Sequence, residues 1–126
     1  MKYILIALLL LLAPTVYALN ASQVPTKNLL VEWVEPDTSF GGKPLTDLSK
    51  IIIHATIDGV EFDPMEVAAS GPTGGQPGQH IYLGVCQPNT EPVADIKAYA
   101  VDLTGNVSEE ALTNMTIDCL PPGKVK

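Results

Sequence analysis

The chain has 126 residues, with seven lysines, no arginine and fourteen aspartates and glutamates, for a net charge of −7 at pH 7. That balance argues against a nucleic-acid partner, because neutralising a phosphate backbone takes a basic stripe, and bidentate phosphate or base recognition leans on arginine. Anionic membrane surfaces are disfavoured by the same repulsion.

The first eighteen residues read as an export signal. Lys2 supplies a positive start, residues 4–13 are an uninterrupted apolar run, and Val16-Tyr17-Ala18 places small residues at the −3 and −1 positions of a cleavage site. We expect cleavage after Ala18, leaving one domain over residues 19–126 with six lysines against fourteen acids, a net −8. The alternative is an uncleaved anchor helix over residues 4–18. Against it, the apolar run stops at Pro14, short of the ~20 residues that a bilayer span requires.

Eleven prolines and ten glycines punctuate the chain, and between them lie short β-rich runs without helical periodicity or internal repeats. Residues 29–34 form the first, with Leu29, Val31 and Trp33 on one face and Glu32 on the other. A turn at Glu35-Pro36-Asp37 and a loop over residues 37–46 lead to a second run at 49–56. Ile51, Ile53 and Ala55 are expected in its core face, with Ile52, His54 and Thr56 outside. Asp58-Gly59 makes a turn, residues 65–68 a short edge strand, and residues 71–79 (GPTGGQPGQ) a flexible loop. Residues 80–86 are the next strand. Residues 94–102 alternate strictly, with Ile96, Ala98 and Ala100 on one face and Asp95, Lys97, Tyr99 and Val101 on the other. A turn at Leu103-Thr104-Gly105-Asn106 precedes a last strand at 111–119, where Met115 and Ile117 share a face. The expected class is all-β, an antiparallel sandwich.

An exported chain meets an oxidising compartment, so a Cys86–Cys119 disulfide is the default reading of the two cysteines. Zinc is the competing reading, but with His54 and His80 these cysteines show no paired C-x-x-C or H-x-x-x-H spacing.

Three segments resemble a known family. Val31-Glu32-Trp33-Val34-Glu35-Pro36 is similar to the second-strand tryptophan and following proline of fibronectin type III domains, particularly their bacterial and phage versions. Gly42-Lys43-Pro44-Leu45-Thr46-Asp47-Leu48 is similar to the loop entering their third strand, and Ala98-Tyr99-Ala100-Val101-Asp102-Leu103-Thr104-Gly105-Asn106-Val107-Ser108 to their sixth strand and its turn. Together these cover most of residues 27–118. The resemblance implies an immunoglobulin-like β-sandwich of about seven antiparallel strands. Departures are a first strand not evident before Lys27, Ala94 where a corner tyrosine usually stands, and two cysteines in a core that usually has none. The implied topology brings Cys86 and Cys119 to one pole, where a bridge closing about thirty residues would contribute roughly 3 to 4 kcal/mol. Two free buried thiols are the other possibility.

Chemistry finds little purchase. Ser70 is in Ala-Ser-Gly and not in a G-x-S-x-G elbow, and no nucleophile, base and orienting group share a pattern. The glycines at 71–78 are interrupted by prolines and lead to a strand, unlike a phosphate loop. Asp58, Glu61 and Asp63 crowd one loop without matching a calcium-binding spacing, so a solvated acidic turn is expected. No cofactor, metal or enzymatic activity is expected. Asn20, Asn106 and Asn114 open glycosylation sequons, of which the second, in a turn, is expected to be the most accessible.

In the implied topology the third, sixth and seventh strands are neighbours, so Ile52, Tyr99, Val101 and Leu112 would form a partly apolar outer strip beside His54. Exposed apolar patches of this kind mark partner sites, although scattered apolar surface residues are also ordinary. We therefore expect an exported, non-catalytic binding or structural module that contacts a protein or glycan, secreted or held in the periplasm or at the cell surface. The alternative is an accessory subunit of a membrane complex, held by the uncleaved amino-terminal helix.

Overall fold

A computed structural model describes residues 15–24, 27–39 and 41–121. The positive start and apolar run of the expected leader, Lys2 and residues 4–13, lie outside the described residues. Among those described are eight strands and no helix: β1 (Tyr17–Val24), β2 (Asn28–Val34), β3 (Leu48–Ile57), β4 (Val60–Glu61), β5 (Met65–Ala68), β6 (Pro77–Tyr82), β7 (Val93–Asp102) and β8 (Ala111–Thr116). They form two antiparallel sheets. The smaller runs β1-β2-β6, and the larger runs β4-β3-β7-β8 with β5 also paired to β3. Side chains from both sheets meet in one hydrophobic cluster, an arrangement of β-sandwich type.

Period-two alternation decides which side chains enter that cluster. Leu29, Val31 and Trp33 of β2, Ile51, Ile53 and Ala55 of β3, and Ile96, Ala98 and Ala100 of β7 are all at most 5% exposed, on the faces that alternation assigns. Burying each large aliphatic side chain contributes about 1.5 to 3 kcal/mol. Leu48 also faces the core although it lies three residues before Ile51. A register irregularity between Leu48 and Lys50 supplies the odd residue. The turn at Asp58-Gly59 has positive φ at both residues, 52° and 79°, as suits a two-residue hairpin loop, and Ile57 pairs with Val60 across it.

Three boundaries differ from expectation. A first strand, β1, lies before Lys27 and begins at Tyr17. Only Leu19 and Ala21 alternate onto the core, and the period breaks before them, where Ala18 has φ +50° and the register with β2 shifts between Tyr17 and Asn20. That bulge lets Val16 and Leu19, three residues apart, both pack on the core. The strand expected at 80–86 is β6, which begins at Pro77 inside the segment expected to be flexible and ends at Tyr82. Proline is tolerated there because it is the first residue of the strand. Beyond Tyr82 the chain leaves the ladder at Gly84, where φ is +61° and the N–H donates to the Asn28 side-chain oxygen. The last strand ends at Thr116 instead of Cys119, and the backbone N–H groups of Ile117 and Cys119 donate to the carbonyls of Pro92 and Thr90.

The glycine-rich segment before β6 is tied down by Glu35, a buried carboxylate at the end of β2 that is 4% exposed. It accepts hydrogen bonds from the Ser70 N–H (2.8 Å), the Ser70 hydroxyl (2.6 Å) and the Gln76 N–H (3.2 Å). Charge-assisted bonds of this kind offset the desolvation of a buried charge. Gly74, at φ +63°, passes so close to the Pro36 carbonyl that a Cβ would lie 2.0 Å from its oxygen. Only glycine fits.

At the opposite pole Cys86 and Cys119 form a disulfide, their Cα atoms 5.4 Å apart. Both cysteines lie just beyond the strands that bring them together. β6 and β8 belong to different sheets, so the bridge links the two layers.

Candidate functional site

The outer face of the larger sheet holds the groups proposed to meet a partner. Ile52 on β3 lies opposite Tyr99 on β7, and His54 lies opposite Lys97. This register sets His54 and Tyr99 diagonally across the two strands, within reach of each other. Their rings stack at 5.7 Å between centroids with planes 25° apart, and His54 Nε2 is 3.2 Å from the Tyr99 hydroxyl, each able to donate or accept. Both are half-buried. Leu112 on β8 lies opposite Lys97 and is 69% exposed. Ile52, His54, Tyr99 and Leu112 therefore share one face.

Val101 departs from the expected strip. It is on the same side of β7 but only 8% exposed, because residues 103–108 fold back over it and Val107 bridges to it. Val107, 60% exposed, takes its place at the surface. No local pattern could have revealed this, since it depends on a turn closing over a strand.

That turn is held by side chains. The Asp102 carboxylate accepts from the N–H groups of Thr104 and Asn106, the Thr104 hydroxyl and the Asn106 amide. These bonds, the Asn106 amide first among them, hold the Asp102 carboxyl below the usual carboxylate range. Ser108 accepts from the Ala100 N–H at 2.8 Å through its hydroxyl, pinning the end of the turn to β7. Asn106 is exposed, but its amide also donates to the Thr104 hydroxyl at 2.9 Å, so the sequon nitrogen is engaged within the turn.

Two depressions flank the turn. One of about 410 Å³ is lined by His54, Tyr99, Glu61, Lys97 and Glu110. A larger groove of about 930 Å³ runs between the β2–β3 loop and the turn, past Pro36, Pro44, Leu45, Leu48 and Val101. Val107 and Ser108 line both. The turn is thus a ridge between two concave surfaces, one polar and aromatic, the other mostly apolar.

No family model and no curated protein matches this chain.

The remaining candidates are scattered. His80 is on β6 in the other sheet, packed edge-on against Tyr82 at 4.7 Å, and Phe62 meets the same tyrosine at 5.8 Å. The Ser70 hydroxyl is committed to Glu35. Among the described residues no three His, Cys, Asp or Glu side chains converge to hold a metal ion, so the acidic loop at 58–63 is not gathered into a cage. Nor is any helix among them long and apolar enough to cross a membrane.

Proposed function

We propose that this chain is an exported, non-catalytic module of the fibronectin type III kind that works by contacting a protein or glycan. The sheet order supports the fold part of this reading. β1, β2 and β6 form one layer, and β3, β7 and β8 neighbour one another in the other. Carrying the functional part is the ridge at Val107 and Ser108, where the His54–Tyr99 face and the apolar groove meet. Stacked rings with polar edges, beside exposed Val107 and Leu112, suit a partner that offers both apolar contact and hydrogen bonds.

The test is capture of crosslinked partners from the chain's own cell envelope and medium, with wild type beside Ile52→Asp and Tyr99→Asp, each first checked for wild-type circular dichroism. Recovery of a specific partner by wild type, reduced at least tenfold by both variants, is expected. Equal recovery by all three would remove the face from the function.

A second reading is an accessory subunit of a membrane complex held by an uncleaved amino-terminal segment. It draws support from Val16, a residue of the expected leader that is buried in the core. The mass of the native protein separates the two readings.

A further inference from the structure

The residues that read as a cleavage site are also the entrance to β1. Val16, at the −3 position, is 2% exposed and belongs to the hydrophobic cluster. Tyr17 pairs with Val34 and Asn20 with Glu32, so the bond between Ala18 and Leu19 lies within a paired strand, at its bulge. Hydrogen bonds fasten the segment at both ends. The Thr15 hydroxyl donates to the Glu109 carbonyl, and the Gln23 amide joins Asp118 beyond β8. A leader peptidase reads small side chains at −3 and −1. It cannot read Val16 until that side chain has left the core.

We propose that the Ala18–Leu19 bond is a processing site open only while the domain is unfolded, and that folding closes it by taking the −3 residue into the core. Cleavage is hydrolysis: water adds across the amide, leaving a carboxylate on Ala18 and an ammonium group on Leu19. Two forms of the chain follow. A chain cut before folding lacks Val16, the Tyr17–Val34 pair and the Thr15 bond. A chain that folds first keeps all three, together with its leader. Which form accumulates depends on whether the peptidase or the fold reaches Val16 first. This proposal rests on the export reading and stands apart from the contact-face reading, whose test reads partner recovery and leaves residues 15–18 untouched.

The experiment uses the full chain made by cell-free synthesis, with a type I leader peptidase in nonionic detergent present during synthesis or added after folding. Mass spectrometry reads the fraction that begins at Leu19. Cleavage is expected during synthesis, and at least roughly tenfold slower after folding, since the cut then waits on local opening. Val16→Ala keeps a small −3 residue but gives up core contact, so it is expected to raise the rate after folding and leave cleavage during synthesis unchanged. The cut form is expected to melt roughly 5 to 10 °C below the uncut one. Equal rates before and after folding, no cleavage during synthesis, or a cut form that melts with the uncut one would each overturn the proposal.

Discussion

Gln23 and Asp118 join the two sheets through a reciprocal pair of hydrogen bonds. The Gln23 amide Nε2 donates to the Asp118 carbonyl at 2.7 Å, and its Oε1 accepts from the Asp118 N–H at 2.8 Å. A side chain thereby does what a neighbouring strand's backbone would do, at the edge where β1 of the smaller sheet meets the segment following β8. Gln23→Ala removes the partners of both Asp118 backbone groups and is expected to cost about 1 to 2 kcal/mol, the net worth of two partly exposed bonds. Gln23→Glu keeps the acceptor and loses the donor, so it is expected to fall between. Urea unfolding reads both, and an alanine variant within a few tenths of a kcal/mol of wild type would show that the latch carries no stability.

Gly78 lies directly opposite Trp33 in the β2–β6 ladder, and a Cβ there would sit 2.6 Å from the indole. Gly78→Ala therefore pushes a fully packed ring off its position. A destabilisation of roughly 1 to 3 kcal/mol is expected, typical of overpacking, with a shift in tryptophan emission that reports the ring's new surroundings. Unchanged emission and stability would mean that the ring has room to move.

Reducing the Cys86–Cys119 bridge frees a loop of 33 residues in sequence separation. A loss of about 2 to 4 kcal/mol is expected, mostly through greater freedom of the unfolded chain. Thermal melts with and without reductant, and of Cys86→Ser/Cys119→Ser, check this. Coincident melts would show that the hydrogen bonds from Ile117 and Cys119 to Pro92 and Thr90 hold the pole unaided.

Acid is expected to destabilise the fold in two steps. Burial lowers the His80 pKa, so the unfolded chain takes up that proton first. Its contribution is complete above the unfolded value of about 6.5 and is lost as pH falls from there through the folded pKa. Asp102 is also lowered, chiefly by its bond from the Asn106 amide. Its contribution is present above about pH 4 and is lost as pH falls through its own folded value. Urea midpoints measured between pH 8 and pH 3 should decline in that order, and His80→Gln should remove the first decline alone. A flat profile from pH 8 to pH 5 in wild type would count against the burial of His80.

What could be read from the chain follows from a property that each strand possesses alone. Side chains alternate across a strand, so the runs around Trp33, Ile53 and Ala98 declare their inward faces without reference to any neighbour. The face carrying Ile52, His54 and Tyr99 was legible for the same reason. Turn residues were legible where positive φ selects them, as at Asp58-Gly59. Legibility failed where the period breaks. The shift between Tyr17 and Asn20 puts Val16, just before β1, out of step with Leu19 and Ala21, so only one short apolar pair is left to count.

Local residues and a compartment argument pointed to a cleavage site and to a disulfide, and alternation within each strand assigned the faces that enclose the core. Tertiary structure alone decided that Val16 belongs to the core as well as to the cleavage motif, that Val107 covers Val101, and that Gln23 reaches Asp118. Each of these joins segments whose proximity depends on how two sheets stack. That stacking is set by the sum of many buried contacts, and no local stretch of sequence encodes it.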